Sequence, residues 1–467
     1  MTAAALPSED GVLAALEARF DEKTLLTGER IPERNLKDWS GLGPQMPLAL
    51  LRPASTEDVS RAMSILSAYS VPVVPQGGMT GLCGGARPVD NGVALSLERM
   101  NRIEELDPSS ATMTVQAGSV LETMQEAAAA QGLYLPLDLG ARGSCTIGGN
   151  IATNAGGNRV IRYGMTRDMV LGLETVLADG TVLHGLNKMI KNNAGFSLRQ
   201  VFIGSEGTMG VITRAVLKLS TLPAFSTGAV CTLASYQDVV AFLAAARQHL
   251  GPLLSAFEVM WPDYWQQIAK TPGLRIPLAQ GHAFYVLIEA QGSDGRLDSH
   301  KFDDFLESQA ETGLLTDAVI AQSSSDLNDF WLVRDAVSEF GQTFGSHAGF
   351  DIGLPVAEMG RFVSATREAL SASFPQAHAL FYGHVGDGNL HIVARDEASA
   401  VQPKDAISEI VYKIVGEFGG TISAEHGIGL TKKPYLRVSR TPEEIETMRR
   451  LKLALDPGNI LNPGKVF

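Results

Sequence analysis

The sequence predicts an α+β fold in two parts. Three observations lead there. Helical periodicities and short apolar strands alternate from Pro47 onward, glycine is concentrated before Leu219 and thins after it, and Asp-Gly pairs stand where strands have to reverse. At 467 residues the chain exceeds one simple core, since domains average about 150 residues. Residues 221–224, which contain a proline, form the candidate boundary.

Residues 1–45 read as a polar N-terminal arm with one short helix at about 11–20. Thr56 is a candidate N-cap, and Val59, Met63 and Leu66 at helical spacing carry that helix to about Tyr69. Residues 71–74 form a short strand leading into a glycine-rich loop. Ser119 and Glu122 have capping-box spacing ahead of the alanines at 127–130, and Gly132 stops the helix. Residues 173–178, 181–184 and 211–219 read as strands, with Asp179 and Gly180 turning the first onto the second. In the second part Ser235 caps a helix through Val239, Phe242 and Leu243 that ends at Gly251. Residues 283–290 form an apolar strand, and 291–300 a polar loop before another amphipathic helix. Thr441 and Glu444 make a capping box with Pro442 at the first helical position, which predicts a helix from 442 to about 455.

A net charge of −13 disfavours nucleic acid or an anionic membrane as partner. No run approaches the roughly 20 apolar residues of a transmembrane segment, and the opening residues lack a basic stretch followed by an apolar one. Cytoplasmic residence is the expectation. Cys83, Cys145 and Cys231 are far apart and outside any Cys-x-x-Cys spacing, so they are expected as small buried side chains.

Two short segments point to chemistry. Asp387 and Gly388 have the composition of a type I′ turn, and counting outward from them pairs His384 with His391 across two strands. Facing imidazoles with Cβ atoms roughly 5 Å apart can share a divalent ion. Glu425 is the candidate third ligand and His426 the candidate base, brought to one cavity by a bend at Gly427. The alternative is an ordinary hairpin decorated by two histidines.

The stretches 75–85 and 140–157, with 204–210, are unusually rich in glycine. Such loops let backbone amides approach a pyrophosphate. No Gly-Lys-Ser/Thr follows, and no Gly-x-Gly-x-x-Gly opens a helix in the first βαβ unit, so Walker and Rossmann modes are disfavoured. An extended dinucleotide groove is the reading, against tight turns at a sheet rim.

Taken together, the loop 75–81, residues 146–150 and 202–210, the hairpin around Asp387, residues 425–429 and the ending 456–465 resemble the FAD-linked dehydrogenases of D-2-hydroxy acids, including those acting on hydroxyglutarate and lactate. These are flavoproteins of the vanillyl-alcohol oxidase type, and the resemblance spans about residues 46–467. It implies an FAD-binding domain at 46–222, an α+β cap with an antiparallel sheet at 223–445, and a segment at 446–467 returning to the FAD domain. It implies further that Pro75, Gln76, Gly77, Gly78, Met79, Thr80 and Gly81 wrap the pyrophosphate. Pro136, Asp138, Gly140, Ser144, Gly149, Asn150, Thr153, Gly156, Gly210, Ile212 and Asn462 would line the rest of the flavin site. Some relatives tether FAD through a histidine in the first loop; none lies between Val71 and Ala86, so non-covalent FAD is implied.

The same resemblance assigns His384, His391 and Glu425 to a divalent ion, zinc or else manganese, and His426 to proton abstraction. Arg334 would grip the substrate carboxylate, with Ser338 one helical turn on, and Asn389 would donate a hydrogen bond to the substrate. Relatives acting on hydroxyglutarate tend to carry a lysine where Gly349 stands here, which leaves recognition of a second carboxylate in doubt. The implied reaction takes a D-2-hydroxy acid to the 2-oxo acid and passes electrons to an electron-transfer flavoprotein or a quinone. An oxygen-using oxidase, a non-catalytic flavin-binding subunit and a zinc hydrolase are the alternatives, and a homodimer is left open.

Overall fold

A computed structural model describes residues 9–467; the first eight residues of the predicted N-terminal arm lie outside the described residues. The chain divides into two units. The first comprises Met1–Gly156, Met165–Thr221 and Glu425–Phe467, and the second Gly157–Gly164 and Leu222–Ala424. The C-terminal portion thus belongs to the first unit from Glu425 onward, earlier than residue 446.

In the first unit, Leu25–Leu26, Ala49–Leu51, Val93–Ser96 and Val73–Gln76 form one sheet in that spatial order, its last three strands parallel. A second, antiparallel sheet has the order Ile103–Asp107, Thr112–Gln116, Val211–Lys218, Val170–Val176, Val182–Gly185. The predicted turn at Asp179 and Gly180 joins its last two strands, with Val176 opposite Val182 and Gly180 at φ +90°. The early helix runs Glu9–Glu17, and the next Thr56–Ala68, capped by Ser55 rather than Thr56; Ser55 accepts from the Asp58 amide while Thr56 is drawn inward to Glu174. The capping box predicted at Ser119 does not form. The helix Leu121–Ala129 has Val120 at its N-cap, and the Ser119 hydroxyl donates to the Arg102 carbonyl instead.

The second unit is built on one seven-stranded antiparallel sheet. Its spatial order is Asp317–Ile320, Phe225–Leu233, Phe284–Gly292, Leu254–Met260, Ala377–Gly383, Asn389–Asp396, Ala348–Gly353. One face packs Met260, Tyr285, Leu287, Leu380, Tyr382 and Val393 against Tyr264 and Trp265 of the helix Pro262–Ile268 and Phe330 and Val333 of the helix Ser324–Asp335. The other face includes Phe257, which meets Phe242 of the helix Tyr236–Leu250, and Phe350, which meets Tyr412 of the helix Lys404–Glu417. Ser235 caps the first of these helices as predicted, and Thr441 with Glu444 forms the predicted capping box on Pro442–Leu455. Among the described residues no helix is long and apolar enough to cross a membrane.

Candidate active site

The hairpin that carries the two histidines differs from the predicted one. Gly388 has positive φ, but Val385–Asp387 forms a 3-10 turn rather than the start of a two-residue loop. His391 therefore pairs with Tyr382, and His384 stands just beyond the strand end. The register is displaced by two residues, and a two-residue displacement preserves the face on which side chains emerge. The imidazoles still meet, with ring centroids 5.2 Å apart and planes at 81°, and each offers a ligand nitrogen within 4.8 Å of the other's. Both are buried.

Each histidine has a buried carboxylate beside it. Glu258, in the strand Leu254–Met260, lies 2.6 Å from His384 Nδ1 and 2.8 Å from Arg334 Nε. Burial pushes the Glu258 carboxyl up, but His384 and Arg334 outweigh it and hold it down at about 2. Glu258 is thus a carboxylate that accepts, and His384 Nδ1 is the donor. Arg334 has only donors, and its Nη2 faces His384 Nε2 at 3.2 Å, so that nitrogen carries the lone pair. A carboxylate fixing the tautomer of a histidine so that its other nitrogen presents a lone pair is an arrangement that suits metal ligation. Asp351 stands 4.0 Å from His391 Nδ1 and accepts from Asn389 Nδ2 at 2.7 Å and Ser423 Oγ at 3.3 Å.

Arg334 is not an exposed helix-surface residue. It is 5% exposed, lies over the Tyr382 ring at 5.2 Å, and approaches Asp335 at 3.6 Å. Burial works to lower its pKa, and Glu258 followed by Asp335 outweigh it, so the guanidinium is held above its ordinary value. Ser338 does not share its face. The α-helix ends at Asp335, the 3-10 turn Ala336–Glu339 follows, and Ser338 is exposed with its hydroxyl on the Asp335 carbonyl. Asn389 is also placed differently from its predicted role as a donor. Its amide hydrogens go to Asp351 and to the Ile352 carbonyl at 3.1 Å, while Oδ1 is buried with no partner among the described residues. The open function of Asn389 is to accept.

In the first unit, the predicted cofactor loops lie back to back. A Cβ on Gly77 would stand 2.4 Å from Thr146 Oγ1, and one on Gly78 2.1 Å from the Ser144 carbonyl oxygen. Thr146 Oγ1 is buried without a partner among the described residues, as is Asn462 Oδ1, whose amide donates to the Gly85 and Glu206 carbonyls at 3.0 and 2.7 Å. Orphaned polar atoms beside half-buried glycines suit a ligand with hydroxyls and phosphates. Met79 has φ +62° and Gly149 is half-buried, whereas Gly140 and Ser144 are exposed. Other predicted lining residues are occupied within the protein. Gln76 bonds Asn35 and the Ala86 carbonyl, Thr153 Oγ1 donates to the Gly149 carbonyl, Asp138 pairs with Arg142, and Asn150 Nδ2 meets Cys145 Sγ. Pro136 and Ile212 are buried, and a Cβ on Gly210 would strike Thr175 at 2.7 Å. Gly156 abuts Glu425, where a Cβ would lie 2.4 Å from Oε1. The turn after His426 is fixed by Glu206, which accepts from the Ile428 and Gly429 amides at 2.7 and 2.8 Å and lies against Gly427, whose φ is +80°.

The FAD linked oxidase C-terminal domain matches residues 222–466, and the FAD binding domain matches residues 47–185. The chain belongs to the FAD-linked oxidases. D-2-hydroxyglutarate dehydrogenase, mitochondrial, from Bos taurus is 39% identical over 98% of this chain and 84% of its own length. D-2-hydroxyglutarate dehydrogenase from Xanthomonas citri pv. viticola is 39% identical over 92% and 91%. Among solved structures, 4-ethylphenol oxidase from Gulosibacter chungangensis aligns with TM-score 0.77 at 20% identity, covering 99% of this chain and 98% of its own. P-cresol methylhydroxylase aligns with TM-score 0.78 at 16% identity over 98% and 96%. The fold of this FAD-linked oxidase is the vanillyl-alcohol oxidase type, and its cofactor is FAD.

Glu258 and Asp351, the buried acids beside the two histidines, are not singled out by the sequence reading. The signal was present: each is an acid inside an otherwise apolar strand, and a buried charge demands a partner.

Proposed function

We propose that this FAD-linked oxidase converts a D-2-hydroxy acid to the 2-oxo acid, with FAD bound non-covalently and a divalent ion held by His384, His391 and Glu425. The observation that carries the reading is the Glu258, His384, Arg334 group, in which one buried carboxylate holds both the His384 imidazole and the Arg334 guanidinium. When bound, FAD would supply the hydride acceptor for C2, and zinc or manganese held by His384, His391 and Glu425 would supply a Lewis acid for the substrate hydroxyl. Arg334 releases His384 Nε2 and turns those N–H groups to the substrate carboxylate, while Glu258 keeps its other edge in place. His426 takes the hydroxyl proton, as an imidazole does near neutrality.

Chain continuity supports assigning Glu425 and His426 to the same reaction. They follow Ala424, the last residue of the second unit, and Ser423 is anchored on Asp351. The names of the relatives support a hydroxy acid substrate. An electron-transfer flavoprotein or a quinone takes the electrons, and the compartment is cytoplasmic.

Anaerobic absorbance of the purified holoprotein is the test. D-2-hydroxyglutarate or D-lactate bleaches the flavin, and His426→Asn keeps the yellow colour while slowing bleaching by about 10²–10⁴-fold. An unchanged wild-type spectrum across a panel of D-hydroxy acids with added zinc or manganese overturns the reading. Stoichiometric peroxide in air transfers it to an oxygen-using oxidase.

A further inference from the structure

Each polar group of Glu206 holds a different piece of the first unit. The residue is buried and has φ +51°, in the left-handed region where a glutamate is disfavoured and a glycine is at ease. Gly204 and Gly207 beside it have positive φ as well. The Glu206 N–H donates to the Ala152 carbonyl at 2.8 Å, in the helix Ile147–Thr153, and its carbonyl accepts from Asn462 Nδ2 at 2.7 Å. A glycine would make those two bonds too. What the glutamate adds is a carboxylate, and a strained conformation kept for one side chain points to a use for that side chain.

That carboxylate sits on the turn that follows His426. Oε1 accepts from the Ile428 amide at 2.7 Å and Oε2 from the Gly429 amide at 2.8 Å. Successive N–H groups directed at one anion form a nest, and here the anion is a side chain of the same unit. The next two amides, of Leu430 and Thr431, both donate to the Cys83 carbonyl, at 2.7 and 3.2 Å, and the Cys83 thiol donates to the Gly427 carbonyl at 3.3 Å. Four consecutive amides after the histidine are therefore held, one pair by Glu206 and the next by Cys83. A Cβ on Gly427 would lie 2.9 Å from Glu206 Oε1, so the chain one residue after His426 passes directly against the carboxylate.

We infer that Glu206 is the positioning residue for His426: by holding the two amides of the turn, it fixes the point from which the imidazole takes the substrate proton. The inference rests on the role proposed above for His426. Glu206 acts through the turn alone, with no part in the proton transfer itself. A reacting group displaced by about 1 Å loses on the order of a hundredfold in rate, so a turn fixed at four amides has a catalytic consequence as well as a structural one.

Anaerobic flavin reduction in the holoenzyme by D-2-hydroxyglutarate or D-lactate tests this. Glu206→Gln turns one acceptor into a donor that faces an amide, so one of the two bonds is lost. The rate of reduction is expected to fall about ten- to a hundred-fold, while the half-saturating substrate concentration stays within about threefold and the ratio of FAD to protein matches the wild type. In a His426→Asn background the same substitution is expected to change the rate by less than about twofold, because a residue that acts through the base then has nothing to position. If Glu206→Gln does not fold, Glu206→Asp keeps the charge on a shorter side chain and is expected to show a loss that likewise vanishes in the His426→Asn background. A loss of equal size in both backgrounds, a loss that tracks missing FAD, or no loss at all overturns the inference while wild-type reduction leaves the reaction standing. Absence of reduction in the wild type overturns the reaction itself.

Discussion

The two units prepare for chemistry with different materials. In the first, the predicted cofactor loops are closely packed: a Cβ on Gly78 would strike the Ser144 backbone, and those on Gly77 and Gly156 would meet the side chains of Thr146 and Glu425. In the second, the site is a set of buried charges, with Glu258 between His384 and Arg334, and a neighbouring one in which Glu289 accepts from Arg159 at 3.0 Å, Ser255 at 2.8 Å and Trp331 at 2.8 Å. The contrast teaches what each will tolerate. A closely packed surface is broken by adding an atom, because close-packed chains cannot yield. A charge-built one is broken by removing a partner, because the remaining charge is left in a poor solvent.

The largest expected effect tests the second half of that contrast. Glu258→Ala strips the carboxylate from Arg334 and His384, both of which stay buried, and breaking such a pair costs about 3–5 kcal/mol. Chemical denaturation should show that loss, and binding of divalent ions should weaken with it because the His384 tautomer is no longer fixed. A loss under about 1 kcal/mol would mean the group is solvated and the contrast false. Gly78→Ala tests the first half. Its methyl group would stand 2.1 Å from the Ser144 carbonyl oxygen, and overpacking of this kind costs about 1–3 kcal/mol. FAD content after gel filtration is expected to fall, and full retention of yellow protein would show that these loops yield.

The same contrast explains what could be read in advance. Local signals sufficed where one residue type decides the conformation: Ser235 and Thr441 as caps, the turn at Gly180, and the acceptance of positive φ at Gly427. They failed where a distant group competes. Thr56 is drawn to Glu174 and Ser119 to the Arg102 carbonyl, 118 and 17 residues away, and neither partner is visible in a window of one helix. The hairpin was legible in its turn residues and in the face of its histidines, while its register depended on a 3-10 turn that no local pattern announces. The facing of the two histidines was thus readable from spacing, and the carboxylate beside His384 was not, because a partner chosen by sheet order lies on a strand more than a hundred residues away.

A milder probe uses Lys465, a buried charge that the first unit carries in spite of its closely packed loops. Its ammonium donates to the Gly85 and Arg87 carbonyls, and burial, opposed by Asp38 and Glu206, lowers its pKa to about 7. The unfolded lysine keeps its proton to near 10.5, so between about 7 and 10.5 the unfolded chain binds more protons and stability rises with pH. The gain from pH 7 to pH 8 is about 1 kcal/mol. Melting curves of the wild type against Lys465→Met should show this slope in the wild type alone. Equal slopes would place the titration elsewhere.

The smallest expected effect falls on Ser338. The helix that carries Arg334 tightens to a 3-10 turn immediately after Asp335, and three residues per turn rotate the fourth position away from the face a continuous α-helix would give it. Its hydroxyl already bonds the Asp335 carbonyl at 3.1 Å and the side chain is exposed. Ser338→Ala should therefore change stability by less than about 0.5 kcal/mol and leave kcat/KM for a D-2-hydroxy acid within about twofold. A several-fold loss with unchanged stability would mean that substrate draws this turn back into α-helix, restoring the face shared with Arg334. The charge-built site would then be assembled on binding.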